Sequence, residues 1–199
     1  MTEKTLIVLL DSGDTIIDEG TEIRDDHDVV LSGDTLPGAA DMVKSLASAG
    51  YRVALVADGR FASFENLLSQ HGILDLFETM ICSEQIRASK PSPRMFKAAL
   101  GALDLSPEDA WRCVMVGNNL SRDILGANQL GITSIHLAWT ERYPRTPSRL
   151  EETPDHTIML PEQLLPLLEE LNRNLEYGTS RITGDSVSAL SDAVSEPVQ

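Results

Sequence analysis

Three polar residues stand where apolar runs of strand type end, and two more lie in or beyond neighbouring loops. Asp11 follows Leu6-Ile7-Val8-Leu9-Leu10, and Asp58 follows Val53-Ala54-Leu55-Val56-Ala57. Asn118 follows Val114-Met115-Val116-Gly117, with Asp123 downstream, and Lys90 lies in the loop Ser89-Lys90-Pro91-Ser92-Pro93. A carboxylate can serve as a nucleophile, a Lys can balance its charge, and a second acidic or amide group can help hold a divalent cation beside a phosphoryl group. Mg²⁺ suits such a set because it accepts a few protein oxygens and keeps several waters.

These residues can meet only if the intervening elements bring the strand ends together. Strands are expected over residues 5–10, 51–56, 79–82, 113–116 and 133–137, with a further short apolar run around Ile158. Between them, helical periodicity runs to Ala49 after Pro37-Gly38, then over 61–70, 94–103 and 122–130, and finally from about 161 to 176. Ser106-Pro107-Glu108-Asp109 reads as a capped helical turn. Strands alternating with helices imply an α/β fold, a three-layer, Rossmann-like, doubly wound parallel sheet whose ligand crevice lies beyond the carboxyl ends of the strands. Residues 1–177 are expected to form one core domain. Residues 16–36, acidic and without helical period, read as a flap or small hairpin. Residues 178–199, rich in Ser, Thr, Gly and Asp, read as a mobile tail.

Taken in order, these stretches resemble the four motifs of the haloacid dehalogenase superfamily, most of whose members are phosphatases that pass through an aspartyl-phosphate. Asp11 through Thr15 is similar to the first motif, Val53 to Gly59 to the second and Lys90-Pro91 with Pro93 and Phe96 to the third. Gly117-Asn118 through Asp123, followed by Gly126-Ala127 and Gly131, is similar to the fourth. The resemblance spans residues 5–137. It implies Asp11 as nucleophile, Thr15 as a residue of the catalytic turn and Lys90 as the charge-neutralising cation. It also implies substrate contacts around Ala57, Asp58, Gly59 and Lys90. Mg²⁺ would be held by Asp11, the Gly13 carbonyl and Asn118, with Asp123 supporting it. Neither interval that carries a cap domain in such proteins is long enough here, so the fold is expected to be capless, with the flap as the one candidate lid.

Three positions depart from the resemblance. The family usually has a second Asp two residues after the nucleophile, which protonates the leaving oxygen and activates water; here that residue is Gly13. Loss of a general acid/base slows a reaction by about 10²–10⁴-fold. Asp14 reads as a turn residue that takes over this role only if the turn is remodelled. Ala57 lacks the hydroxyl of the usual Ser or Thr, and Asn118 coordinates without charge. The leading expectation is phosphate-monoester hydrolysis, weakened at the water-activating step. An impaired binding or regulatory protein on the same scaffold is the alternative, and dehalogenase-type chemistry a minor one.

The 199-residue chain carries a formal net charge of -15, which disfavours nucleic acid and anionic membrane as partners. A small phosphorylated molecule, or a phosphorylated macromolecule admitted by the open site, is the expected partner, and a homo-oligomer is compatible with it. The amino-terminal apolar run is too short for a signal-peptide core or a membrane span, so a cytoplasmic location is expected. Cys82 and Cys113 read as buried thiols, and His27, His71, His136 and His156, without ligand spacing, as surface or loop residues. Trp139-Thr140-Glu141-Arg142-Tyr143-Pro144-Arg145, with Arg149 beyond, reads as a solvated loop, or else as a binding patch for an anionic substrate or a partner.

Overall fold

The first strand, β1 (Ile7–Leu10), is buried at every position because both faces of the sheet are covered. In the computed structural model, which describes residues 4–176, it lies between β4 (Arg52–Ala57) and β6 (Cys113–Gly117). The six-stranded sheet runs β5-β4-β1-β6-β7-β8, with β5 at Thr79–Cys82, β7 at Thr133–Leu137 and β8 at His156–Ile158, and every pairing is parallel. The short apolar run around Ile158 is thus an edge strand. Alternate residues of β1 feed two cores. Val8 and Leu10 pack with α1 (Ala39–Ser48), α2 (Phe61–Gln70) and α6 (Leu164–Glu176). Ile7 and Leu9 pack with Met95, Phe96 and Ala99 of α4 (Pro93–Ala102). A short turn, α3 (Ser83–Ile86), joins β5 to the loop before α4.

The chain winds outward from β1 to β4 and β5, then returns to the other side for β6, β7 and β8. That reversal opens a crevice beyond the carboxyl ends of β1, β4 and β6. No large cap interrupts the fold among the described residues. Between β1 and α1 the chain forms a 3₁₀ turn at Glu19–Thr21 and a two-stranded hairpin, β2 (Ile23–Arg24) and β3 (Val30–Ser32). The hairpin is fastened to α2. Val30 N donates to Ser63 Oγ at 2.9 Å, Asn66 Nδ2 to Val30 O at 2.9 Å and Gln70 Nε2 to Gly33 O at 3.0 Å. The tail at 178–199 falls outside the described residues.

The helix expected over 122–130 differs in form. Leu120–Ile124 winds as a π-type turn, and only α5 (Leu125–Asn128) is α-helical. The wider turn lets the Asn119 carbonyl accept from the backbone N–H groups of Arg122, Asp123 and Ile124. Such turns cluster at functional sites because they redirect one side chain; here that side chain is Asp123.

Gly126 of α5 lies against α4. A Cβ there would meet Phe96 Cε2 at 2.3 Å and Pro91 Cα at 3.2 Å. Phe96 is wholly buried and Pro91 follows Lys90, so neither yields freely. Gly126→Ala is expected to destabilise the fold by about 1–3 kcal/mol, the range for overpacking, read as a lowered urea midpoint with an unchanged slope.

Candidate functional site

Asp11, the first residue beyond β1, is placed by its own N–H, which donates to Val116 O of β6 at 3.0 Å. Lys90 reaches the same point from the loop before α4. Its ammonium, 4 % exposed with its residue, contacts Asp11 Oδ1 at 2.6 Å, Asp123 Oδ1 at 2.7 Å and Val56 O at 2.8 Å. The ammonium donates hydrogen bonds to Asp11 Oδ1 and Val56 O and forms an ion pair with Asp123. Burial works against the charge on Lys90, but Asp11, Asp123 and Asp58 more than offset it and hold its pKa above the ordinary lysine value. The Lys90 backbone N–H donates to Asp58 Oδ1 at 3.0 Å, so one loop residue joins the ends of β1 and β4.

Asp123 is fully buried. Its Oδ2 accepts from Asn119 N at 3.0 Å and its Oδ1 faces Lys90. Burial and the nearby Asp11 charge push its pKa up, against the pull of Lys90 and the Asn119 N–H. Gly117 is required beside it, since a Cβ there would lie 2.3 Å from Asp123 Oδ2. Asp58 is also raised, first by burial, with Lys90 and Arg122 opposing.

Asp11, Gly13, Ala57, Asp58, Lys90, Asn118 and Asp123 line one small hollow, together with Glu19, Arg122 and Tyr143. Gly59 lines an adjoining hollow between the flap and α2, and Thr15 lines neither. Thr15 is wholly buried, and its N–H closes the turn on Ser12 O at 3.2 Å. Its hydroxyl has no hydrogen-bond partner among the described residues. The structure therefore does not bring Thr15 to the crevice with the other residues. Composition alone does not show this, because the turn buries Asp14, Thr15, Ile16 and Ile17 alike, polar or apolar.

The acidic flap supplies a residue that sequence reading missed. Glu19 turns its carboxylate back over Gly13: a Cβ on Gly13 would lie 2.1 Å from Glu19 Oε1 and 2.8 Å from its Cδ. Burial raises the pKa of Glu19 above the usual carboxylate value; its bond with Tyr143 opposes, and the charges of Asp14 and Asp11 add to the rise. Tyr143 Oη donates to Glu19 Oε2 at 2.8 Å. Asp14, in the left-handed region at φ 47°, is fully buried, and its Oδ1 accepts from Glu19 N at 3.2 Å and from the Arg142 guanidinium. Arg142 also reaches Asp18 Oδ1 at 3.1 Å.

The loop of aromatics and arginines is solvated, as expected, with Arg142, Arg145 and Arg149 exposed, yet its arginines are paired within the chain. Arg145 donates to the carbonyls of Trp139 and Thr140, at 3.0 and 2.9 Å, and Arg149 pairs with Glu152 at 3.1 Å. Arg142→Ala leaves the buried Asp14 carboxylate without its cation. Because the arginine is itself about one-third exposed, we expect a loss near the lower end of about 1–3 kcal/mol, measured by urea unfolding.

The histidine expectation holds for His27 and His71, which lie in turns, and is corrected for His136 and His156, which lie on strands. His136 is buried on β7, and its Nε2 lies 3.1 Å from Asn118 O, bracing the loop after β6. His71 Nε2 contacts Gly33 O at 2.7 Å, and only His27 is exposed in the hairpin turn. A strand position in a covered sheet buries whatever residue it carries, so ligand spacing was no guide to exposure.

Comparison with known proteins agrees with this architecture. The family described as haloacid dehalogenase-like hydrolase matches residues 3–131. The chain belongs to that hydrolase family. It is 32% identical over 138 residues to a glyceraldehyde 3-phosphate phosphatase of Pyrococcus furiosus, covering 69% of this chain and 55% of that protein. It is 28% identical over 137 residues to the pyrophosphatase PpaX of Bacillus anthracis, covering 67% and 59%. The chain thus matches little more than half the length of these relatives. Among solved structures, a HAD phosphatase from Thermococcus onnurineus superposes with a TM-score of 0.63 at 21% identity, over 82% of this chain and 97% of the other. The magnesium-bound putative HAD-hydrolase YfnB of Bacillus subtilis gives 0.67 at 16% identity, over 83% and 99%. Among the described residues no helix is long and apolar enough to cross a membrane.

Proposed function

We infer that the chain hydrolyses a phosphate monoester through an aspartyl-phosphate on Asp11, with Mg²⁺ bound beside it. The observation that carries this reading is the buried contact of 2.6 Å between Lys90 and Asp11 at the switch point of the sheet. A carboxylate held against a buried ammonium keeps one orientation and borders the crevice, and the same ammonium offsets charge that gathers on a phosphoryl group in transit. In the first step an Asp11 oxygen bonds to phosphorus while the ester P–O bond breaks. In the second, water attacks the same phosphorus, the Asp11–phosphorus bond breaks, and phosphate leaves.

The donor set suits Mg²⁺. The Asp11 carboxylate, the Gly13 carbonyl and the Asn118 amide are all oxygen donors that border one hollow. The amide Nδ2 of Asn118, buried, has no hydrogen-bond partner among the described residues, so the side chain is not tied elsewhere through that atom. Asp123 Oδ2 accepts from Asn119 N and its Oδ1 faces the Lys90 ammonium as an ion pair, so Asp123 acts by positioning Lys90. Among the described residues no cluster of three or more His, Cys, Asp or Glu forms a metal cage. When bound, Mg²⁺ supplies positive charge against the phosphoryl oxygens.

The names of the phosphatase relatives support a small phosphorylated substrate. The test is phosphate release from para-nitrophenyl phosphate and from glyceraldehyde 3-phosphate. Release that falls by about 100-fold or more on chelation with EDTA and returns with added Mg²⁺ is expected. No release from either compound at any Mg²⁺ concentration overturns the reading.

A further inference from the structure

The acid/base residue two positions beyond the nucleophile is missing from the sequence, yet its space is filled. We propose that Glu19 is the general acid and base of this site, delivered from the flap into the volume that a side chain on residue 13 would occupy. The proposal rests on the phosphatase reading above and specifies which group handles the protons.

Geometry carries it. The Glu19 carboxylate coincides with the place of a Cβ on Gly13, 2.1 Å from Oε1, and it borders the same hollow as Asp11 and Lys90. Gly13 is thus both the gap and the doorway, since any larger residue there would expel Glu19. Glu19 is held at its backbone and at its carboxylate. Asp14 Oδ1 accepts its backbone N–H at 3.2 Å, and Tyr143 Oη donates to Oε2 at 2.8 Å. Asp14 and Asp18 hold Arg142, which fixes the loop that presents Tyr143. This strap accounts for three residues that the nucleophile and its lysine leave unexplained: Asp14, Arg142 and Tyr143. A surface glutamate of an acidic flap would need none of it.

The proton bookkeeping closes. As the ester P–O bond breaks, the Glu19 carboxyl group gives its proton to the leaving oxygen. The resulting carboxylate takes a proton from the water whose oxygen attacks the aspartyl-phosphate, which restores both Glu19 and Asp11. Alcohol and inorganic phosphate are the products.

Glu19→Gln keeps the size of the side chain and removes its proton chemistry. With Mg²⁺ present, kcat/KM for an alkyl phosphate such as β-glycerophosphate is expected to fall by about 10²–10⁴-fold. For para-nitrophenyl phosphate, whose leaving group needs no proton, the fall in kcat/KM is expected to stay below about tenfold. With that second substrate a burst of one nitrophenol per enzyme should precede slow turnover, because the phosphoenzyme accumulates when its water is not activated. Gly13→Asp in a Glu19→Ala background should recover alkyl phosphate hydrolysis, since the vacated space then accepts the new side chain. Equal losses on both substrates with no burst indicate a merely structural role and overturn the assignment. Wild-type rates in Glu19→Gln overturn it while leaving the Asp11 reading intact. A wild-type protein inactive on every phosphate ester overturns both.

Discussion

Asp11→Asn is expected to lower phosphate release by about 10⁴-fold or more, the scale on which removal of a nucleophile acts. The amide is isosteric, so the turn closed on Ser12 O and the bond from Asp11 N to Val116 O persist. Lys90 keeps Asp123 and Val56 O as partners, so the ammonium is not left alone in the interior. The fold should therefore survive a change that removes the chemistry. Phosphate release in excess Mg²⁺, read beside the thermal midpoint, separates the two effects. A variant that retains more than a tenth of wild-type activity would mean that another group attacks phosphorus.

Lys90→Met is expected to remove activity and to destabilise the protein severely. Among the described residues no other cation pairs with Asp11 or Asp123, and both carboxylates are nearly closed off from water, with side chains 12% and 1% exposed. Breaking a buried ion pair from one side costs about 3–5 kcal/mol, because the abandoned charge stays buried. For a chain of this size that is a fall in the thermal midpoint of about 6–20 °C. The Val56 carbonyl loses its donor as well. Combining Lys90→Met with Asp123→Asn should be less damaging than the sum of the two single changes, by about 0.5–3 kcal/mol, since each relieves the charge the other exposes. Strict additivity in urea unfolding would show that the contact of 2.7 Å between them carries no coupling. Lys90→Arg is not a conservative repair. A planar guanidinium cannot replace a point charge that serves three oxygens in a closed space.

The architecture was legible because it is written in runs. Continuous apolar segments such as Leu6-Ile7-Val8-Leu9-Leu10 belong to strands covered on both faces, and alternation with helical periodicity leaves a parallel sheet as the consistent arrangement. Asp11, Asp58 and Asn118 were legible for the same reason, since each stands at the end of such a run, whereas Lys90 and Asp123 were legible from the motif order. Glu19 was not legible, and the cause is turn geometry. The Ser12 carbonyl accepts from the N–H groups of Thr15, Ile16 and Ile17, Asp14 takes a positive φ, and the chain doubles back so that residue 19 overlies residue 13. An acidic stretch without period gives no sign of that reversal. Arg142 and Asp14 were both visible as unusual residues, but 128 positions separate them, and only the folded chain reveals the pair. The π-type turn that directs Asp123 also escaped, because Arg122 to Leu130 carries an ordinary helical pattern.

The bonds that rivet the hairpin to α2, through Ser63, Asn66 and Gln70, bear on how ligands come and go. An entrance propped by main-chain contacts is assembled while the polypeptide folds, and arriving molecules find its edges already ordered. Association then carries little penalty for freezing a gate, and release waits on no hinge. Among the described residues no second enclosure stands over that mouth, so the fit of a ligand's reactive end is what these residues can test.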